Sequence, residues 1–185
     1  TTDPNIEINA KKIDKFSYEE MLEMASTGAK VLQTRSVELA MKNDLTLQVL
    51  SSLTNNKGTF IVNEKKLIEK EIVSGVSYSK NESKITISGI PDKPGISAKI
   101  FGLLSSNNIN VDMIVQNISQ DGINANMTFT VPLKDLILTK RIIEDNQSNI
   151  KYSNLGTDKE IAKISVVGMG MMSQSGVAEK MFKAL

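Results

Sequence analysis

The chain has 185 residues, and its 40% hydrophobic and 23% charged content are those of an ordinary globular protein with one large or two small domains. A net charge of +1, an aromatic content of 4% and the lack of a long apolar run argue against nucleic-acid or membrane partners. The sequence contains neither histidine nor cysteine. This excludes Ser-His and Cys-His catalytic pairs and the usual zinc sites, so no metal ligand is assigned, and the lack of cysteine fits a cytoplasmic protein.

The first part of the chain predicts two helices and a strand. Ser17 and Glu20 have the spacing of a capping box, so a helix should begin there and end near Gly28. A second helical pattern covers 29–41, and the alternation of apolar and polar residues at 45–49 predicts a strand.

A short strand at 59–62 precedes a change of composition. Residues 63–71 are charged, have no β character, and predict a linker between two domains. Three acidic residues of the first helix, Glu19, Glu20 and Glu23, are interpreted as a solvated helix face with its capping box rather than as acid–base catalysts.

From residue 72 strands alternate with helices. Strands are predicted at 72–78, 85–89, 111–118, 125–131 and 150–155, and helices at 97–106 and 133–145. Counted from Ile85, the order is β-α-β-β-α-β, the ferredoxin-like arrangement. The apolar helix positions expected to face the sheet are Ile100, Phe101, Leu103, Leu104, Leu136, Ile137, Ile142 and Ile143.

Residues 85–104 and 164–185 are two copies of one pattern. Each copy has a β-rich run that ends in Gly, then a loop, then a Gly that opens an amphipathic helix. The corresponding helix positions are Lys99 and Lys180, Phe101 and Phe182, and Leu104 and Leu185. The first copy continues into further strands and a helix, whereas the second stops within its first helix. We therefore expect the chain to be a fragment of a longer protein.

Three stretches are specific enough to indicate a family. Residues 1–40 read TTDPNIEINAKKIDKFSYEEMLEMASTGAKVLQTRSVELA, and they resemble the closing segment of the catalytic domain of aspartate kinases. Residues 89–119 read GIPDKPGISAKIFGLLSSNNINVDMIVQNIS, and they resemble the effector-binding core of the first ACT domain in that family. Residues 164–185 read ISVVGMGMMSQSGVAEKMFKAL and resemble the start of the second ACT domain.

The resemblance implies a mixed α/β (α+β) fold. The end of an amino-acid-kinase-type domain is expected at 1–62, a linker at 63–71, a ferredoxin-like first ACT domain at 72–158, and an incomplete second one at 159–185. The strand at 72–78 could instead be shared with the second ACT domain.

The resemblance also implies an activity, the ATP-dependent phosphorylation of L-aspartate to 4-phospho-L-aspartate with Mg²⁺, which opens the pathway to lysine, threonine and methionine. Feedback by lysine, threonine or both would act at the ACT domains, and these domains would also join a homo-oligomer. The family's Lys-Phe-Gly-Gly segment and aspartate site are absent from the sequence. No catalytic residue is therefore assigned, and the chain alone is expected to be inactive.

Two elements are candidates for the ATP site. By itself, Thr1-Thr2-Asp3-Pro4 is typical of a polar turn, and Lys30 is typical of a lysine at a helix end. The resemblance places Thr1, Thr2, Asp3, Pro4 and Lys30 at the nucleotide. Asn5 stands where the family usually has Arg, so one cationic contact to the nucleotide is lost or supplied elsewhere.

The loop 91–95 precedes a helix start and predicts an amino-acid site. The N–H groups of Ile96, Ser97 and Ala98 would receive the carboxylate of an effector, because the first turn of a helix has N–H groups without internal acceptors. Asp92 and Asp112 are the candidates to hold its ammonium group.

Further residues complete the predicted effector site. Polar recognition and contact with the effector side chain are assigned to Asn110, Val111 and Gln116. The second loop, 170–176, has no acidic residue at the position of Asp92. It is expected to contribute from the opposite side of a shared pocket through Ser173, Val177 and Ala178.

Two alternatives have a different function. The first is a non-catalytic amino-acid-binding subunit of an aspartate kinase, which has no use for the nucleotide-site segment at 1–62. The second is a ferredoxin-like RNA binder, which the sequence disfavours because its strands lack exposed aromatic residues and a basic excess.

Overall fold

The computed structural model describes residues 2–29, 31–67, 72–119 and 122–185. The strands of this part are β1 (Lys15–Ser17), β2 (Leu47–Val49), β3 (Thr59–Val62), β4 (Gly75–Ser79), β5 (Glu82–Pro91), β6 (Asp112–Ile118), β7 (Asn124–Pro132), β8 (Asn154–Asp158) and β9 (Lys163–Val167). Its α-helices are α1 (Tyr18–Ser26), α2 (Thr34–Lys42), α3 (Ile96–Ser106), α4 (Leu136–Asp145), α5 (Gln147–Ile150) and α6 (Val177–Ala184). The chain folds as two compact units, Thr1–Ser79 with Ile164–Leu185, and Lys80–Lys163.

The first unit contains a three-stranded sheet and two helices. β3 is the middle strand, parallel to β1 and antiparallel to β2. The predicted capping box of Ser17 and Glu20 starts α1 directly after β1, which confirms that prediction. α2 begins at Thr34 rather than at residue 29, because Gly28 has a φ of +122° and interrupts the helical backbone between the two helices. The core of this unit contains Phe16, Tyr18, Met21, Met24, Val37, Ala40, Ile61 and Val167.

The first unit also contains a second, two-stranded sheet, formed by β4 and β9. The strand predicted at 72–78 is therefore β4, and its neighbour in the sheet is β9. At the start of β4 the N–H of Ser74 donates to the carbonyl of Val167 at 2.8 Å. The domain bounds drawn from the sequence stay predictions.

The second unit is a four-stranded antiparallel sheet in the order β6-β7-β5-β8. With α3 between β5 and β6, and α4 between β7 and β8, the predicted ferredoxin-like order is confirmed. Alternate residues of β5 and β7 are buried, as expected for a sheet with one covered face. The core comprises Ile85, Ile87, Ile90, Ile100, Leu104, Ile109, Met127, Phe129, Val131, Ile143, Ile150 and Tyr152.

Three details of the second unit differ from the prediction. Ile137 is expected to face the sheet together with Ile143, but Ile137 is 82% exposed, whereas Ile143 is buried as predicted. The pattern at 150–155 predicts one strand, whereas Ile150 ends the short helix α5 and β8 covers Asn154–Asp158. The predicted turn at 120–122 lies partly outside the described residues, which resume at Gly122.

The two sequence copies differ in burial. In the first copy Leu104 is fully buried, and the ring of Phe101 meets that of Phe129 edge to face with centroids 5.7 Å apart. In the second copy the corresponding Phe182 and Leu185 are 74% and 71% exposed. The same helical pattern therefore contributes to a core in one unit and to an open apolar face in the other.

Candidate functional site

The helix end predicted to receive a carboxylate is formed as expected. Gly95 has a φ of +89° and precedes α3 without a side-chain cap. The carbonyl of Gly95 accepts from the N–H of Lys99 at 3.0 Å, and the N–H of Ile96 donates to the carbonyl of Lys93 at 3.4 Å. Of the three predicted donors, Ile96 therefore already has an acceptor, and Ser97 and Ala98 follow it in the first turn. Backbone donors and the positive end of the helix dipole thus point out of this end of α3, where an anion is favoured.

Ser97 and Gln116, two predicted effector residues, lie together. The hydroxyl of Ser97 donates to Oε1 of Gln116 at 3.1 Å, so the first turn of α3 contacts the middle of β6. The side-chain amide of Gln116, which can both donate and accept hydrogen bonds, therefore lies beside the positive end of the α3 helix dipole. It is the part of the predicted site that a single chain assembles.

The predicted effector residues Asp92, Asn110 and Val111 lie in three different surroundings. Asp92 is exposed, and its backbone N–H donates to the carbonyl of Ile123 at 3.0 Å. Asn110 is exposed beyond the opposite end of α3, and Val111 packs against the core. Within one chain, Asn110 is therefore placed away from the N–H groups that would receive a carboxylate.

Asp112 is likewise separated from the start of α3. Asp112 and Gln116 are four positions apart along β6, which at about 3.3 Å per residue is a distance of about 13 Å. Asp112 instead receives the ammonium of Lys163, whose Nζ is 2.5 Å from Oδ2. The two groups predicted to hold an effector carboxylate and ammonium are thus not adjacent in one chain.

Lys163 is a residue of this site that the sequence analysis missed. Its side chain is only 10% exposed, and its Nζ also lies 3.7 Å from Oε1 of Glu82. Burial alone would lower the pKa of Lys163, but the hydrogen bond and charge of Asp112, with a contribution from Glu82, raise it overall. The hydrogen bond from Lys163, together with one from the backbone of Met113, lowers the pKa of Asp112. A lone lysine at the start of a strand gives no sequence signal for such a pairing.

The start of β6 is also strained. The register of β6 against β7 shifts between Asp112 and Val115, and Met113 between them has a φ of +49°, which is uncommon for a residue other than glycine. Oδ1 of Asp112 accepts from the N–H of Met113 at 2.8 Å and holds this conformation. Asp112 is therefore tied both to Lys163 and to a local bulge.

The other predicted effector residues belong to the first unit. Gly176 precedes α6 with a φ of +87°, as Gly95 precedes α3. Ser173 donates from its hydroxyl to the carbonyl of Gly170 at 3.1 Å, and Ala178 is exposed. Val177 lines an apolar groove of about 470 Å³ between α6 and the two-stranded sheet.

Of the predicted nucleotide residues, Thr1 and Lys30 lie outside the described residues. Thr2 is half-buried, and Asp3 and Pro4 are exposed in a turn. Oδ1 of Asp3 accepts from the backbone and side-chain amides of Asn5 at 2.9 and 3.0 Å. The residue that replaces the usual Arg of the family therefore shapes the turn by bonding to Asp3.

The prediction that Glu20 belongs to a solvated face was wrong, although Glu19 and Glu23 are exposed as expected. Glu20 is 6% exposed, and its carboxylate accepts from the backbone of Ser17, the hydroxyl of Ser74 and the N–H of Met169. The capping box itself contains the signal, because it turns the glutamate back toward the buried start of the helix.

Among the described residues, no three acidic side chains converge to form a metal site. No helix in the same residues has the length and apolar character needed to cross a membrane.

Two protein families match this chain. Residues 82–147 match the ACT domain family, and residues 1–51 match the amino acid kinase family. The aspartate kinase of Pseudomonas fluorescens is 46% identical over 186 residues, which are 100% of this chain and 45% of that protein. The aspartokinase of Helicobacter pylori is 46% identical over 189 residues, 100% of this chain and 46% of that protein. The chain thus spans less than half the length of these relatives.

Solved structures of two aspartate kinases share the fold of this chain. The aspartate kinase of Clostridium acetobutylicum shares the fold, with a TM-score of 0.87 and 24% identity over 100% of this chain and 42% of that one. E. coli aspartokinase III, solved with lysine and aspartate in the T-state, has a TM-score of 0.75 and 25% identity over 100% of this chain and 40% of that one.

A shorter protein is matched over most of its length. The ligand-free regulatory subunit of the aspartate kinase from Thermus thermophilus is 35% identical, with a TM-score of 0.57, over 62% of this chain and 74% of that one. Together with the match of the whole of this chain to part of the longer kinases, this shows that the chain belongs to the aspartate kinase family and carries an ACT regulatory domain.

Proposed function

We propose that this chain is the end of the catalytic domain and the regulatory part of an aspartate kinase. The proposed reaction moves the γ-phosphoryl group of ATP to the β-carboxylate of L-aspartate. The bond from the γ-phosphorus to the bridging oxygen breaks, a bond from that phosphorus to a carboxylate oxygen forms, and ADP leaves with 4-phospho-L-aspartate. The observation that carries the proposal is the 46% identity with an aspartate kinase along the whole chain.

Within that enzyme, the proposed roles of this chain are nucleotide contact and feedback. Thr1, Thr2, Asp3, Pro4 and Lys30 would contact ATP, with Mg²⁺ bound to its phosphates. Residues 1–62 would complete the catalytic domain in the cytoplasm, and none of them is assigned to the chemical step.

The proposed feedback ligand is lysine, threonine or both. The E. coli relative was solved with lysine, and α3 of this chain offers the backbone donors that an amino-acid carboxylate needs. The hydroxyl–amide pair of Ser97 and Gln116 lies at the same helix end. The ligand's ammonium would be held by Asp112, with Asp92 as the second candidate.

A complete site in this proposal requires two copies of the chain. β6 is at the edge of its sheet, and four of its apolar side chains are 48–65% exposed: Met113, Ile114, Val115 and Ile118. Antiparallel pairing of two β6 strands about Ile114 would place Asp112 of a second copy opposite Gln116, and hence close to the start of α3. The pairing would also cover the exposed edge, which supports a homo-oligomer.

The test uses the full-length protein. We expect ATP- and aspartate-dependent formation of ADP, inhibited by lysine or threonine, and calorimetric binding of the inhibiting amino acid. We expect no activity from residues 1–185 alone. Full-length protein that forms no ADP with aspartate would contradict the proposed reaction. Active enzyme that binds neither amino acid would contradict the proposed feedback.

The second candidate function is a separate regulatory subunit. It is favoured by the match to the Thermus regulatory subunit, of which this chain covers 74%. The match of residues 1–51 to the amino acid kinase family disfavours it. The coding sequence upstream of Thr1 distinguishes the two, because a Lys-Phe-Gly-Gly motif in the same reading frame belongs to the enzyme.

A further inference from the structure

Lys163 is an enclosed cation that contacts a predicted effector residue, Asp112. Its ammonium lies 2.5 Å from Asp112 and 3.7 Å from Glu82, and its side chain is 10% exposed. Asp112 is the carboxylate proposed to receive the ammonium of an amino-acid effector. The position of that ammonium is thus already taken by a cation of the chain itself.

We propose that Lys163 is a tethered competitor for Asp112, which an amino-acid effector must displace in order to bind. This inference rests on the proposed effector site and adds a mechanism for setting its affinity. The effector's ammonium group takes over the hydrogen bond to Oδ2 of Asp112. Lys163 then turns to Glu82.

Because Lys163 contacts both Asp112 and Glu82, its displacement from Asp112 should require little free energy. A buried ammonium left without a partner would be strongly unfavourable, so displacing Lys163 from a single acid would oppose binding. Glu82 is already 3.7 Å from Nζ and its side chain is 16% exposed, so it offers a second enclosed acceptor a short movement away. Lys163 therefore contacts both carboxylates from one position, and a small movement toward Glu82 would keep its charge paired while Asp112 becomes available.

The backbone next to Asp112 and next to Lys163 would be affected if this ion pair were broken. Asp112 holds the left-handed Met113 through its other oxygen, so a change at the carboxylate bears directly on a strained bulge. Lys163 is the last residue of the second unit and the first of β9. The ion pair therefore lies where the chain passes from one unit to the other.

The test compares variants of the full-length enzyme, with lysine and threonine as probes in calorimetry and inhibition assays. Lys163→Met keeps the apolar stem but removes the competing charge. We expect it to tighten binding of the inhibiting amino acid about tenfold, the effect of removing one competing hydrogen bond between charged groups. The matched control is Lys84→Met, which removes a lysine 3.7 Å from Asp158 in the same sheet and should leave the affinity unchanged.

Two further variants separate the possible failures. Asp112→Asn should weaken effector binding, and unchanged binding would contradict the proposed effector site itself. If Asp112→Asn weakens effector binding but Lys163→Met leaves it unchanged or weaker, the proposed effector site stands. The proposal that the effector displaces Lys163 is then overturned. Glu82→Gln tests the exchange with Lys163 in place. It should weaken binding, because the displaced lysine loses its second charged acceptor, and tighter binding would also overturn the proposal.

Discussion

Gly28 lies against the carbonyl oxygen of Tyr78, so close that a Cβ atom on residue 28 would be 2.6 Å from that oxygen. One residue earlier, the hydroxyl of Thr27 lies 2.5 Å from the hydroxyl of Ser77. The C-terminal end of α1 is therefore fixed against β4. Because Gly28 precedes the proposed ATP contact Lys30 by two residues, this junction joins the two-stranded sheet to the nucleotide segment.

Replacement of Gly28 by alanine should destabilise the protein by about 1–3 kcal/mol, because the new Cβ meets backbone atoms and the φ of +122° is strained for alanine. Urea unfolding measures this change. Gly102→Ala is the matched control, since a Cβ there meets nothing within 4 Å inside a helix, and a gain of up to about 1 kcal/mol is expected. Similar losses in both variants would show that the contact with Tyr78 is unimportant. In the full-length enzyme, Gly28→Ala should also raise the KM for ATP.

Replacement of Glu20 by glutamine should cost about 1–3 kcal/mol of unfolding free energy, because one buried acceptor oxygen becomes a donor facing other donors. Oε1 accepts from Ser74 and Met169, and Oε2 accepts from the backbone and hydroxyl of Ser17, so an amide nitrogen at either position would face two donors. Glu19→Gln on the same helix is exposed and should change stability by less than about 0.5 kcal/mol. Equal unfolding midpoints for the two variants would argue that the buried carboxylate does not stabilise the first unit.

Truncation of Phe129 to alanine should cost about 3–5 kcal/mol, because the ring is fully buried and supports Phe101. Phe182→Ala removes a ring of the same size that is 74% exposed and should change stability by no more than about 0.5 kcal/mol. Thermal unfolding of both variants measures the difference. A large loss in Phe182→Ala would mean that α6 is covered in solution.

The ion pair of Asp112 and Lys163 predicts a specific dependence of stability on pH. Because the pKa of Asp112 is lowered in the folded state, its contribution is complete above the unfolded value of 3.8 and is lost as the pH falls through the lower folded value. Because the pKa of Lys163 is raised, its contribution is complete below the unfolded value of 10.5 and is lost as the pH rises through the higher folded value.

Urea unfolding of the wild type and Asp112→Asn at several pH values checks this dependence. The difference in stability should be constant between about pH 5 and 9 and should shrink under more acidic conditions. A difference that persists unchanged at pH 2 would show that the charge of Asp112 does not stabilise the fold.

Local patterns in the sequence were sufficient for much of the fold. The capping box at Ser17 and the start of α3 after Gly95 depend on a few consecutive residues, and the structure has both. The start of α2 and the exposure of Ile137 depend on how neighbouring elements turn and pack. Such long-range contacts leave no periodic signal.

Some features of the candidate site could likewise be predicted from local sequence, and others could not. The donors of α3 follow from one Gly and one helix, so they could be predicted. The pairing of Asp112 with Lys163 joins residues 51 positions apart, and the burial of Glu20 depends on Ser74 and Met169. From the sequence, Asp112 is predicted to be available to a ligand and Glu20 to be exposed to solvent. The folded structure shows the residues with which each of them pairs.

The chain leaves the first unit after β4 and returns to it with β9, and these strands are neighbours in one sheet. A domain inserted between adjacent strands, as the ACT domain is here, behaves as a cassette, because its removal leaves two ends that a tight turn can close. Because the proposed ammonium contact Asp112 and the helix end of α3 lie within residues 80–163, we expect exchange of this segment to alter the proposed effector site while the rest of the sequence is kept.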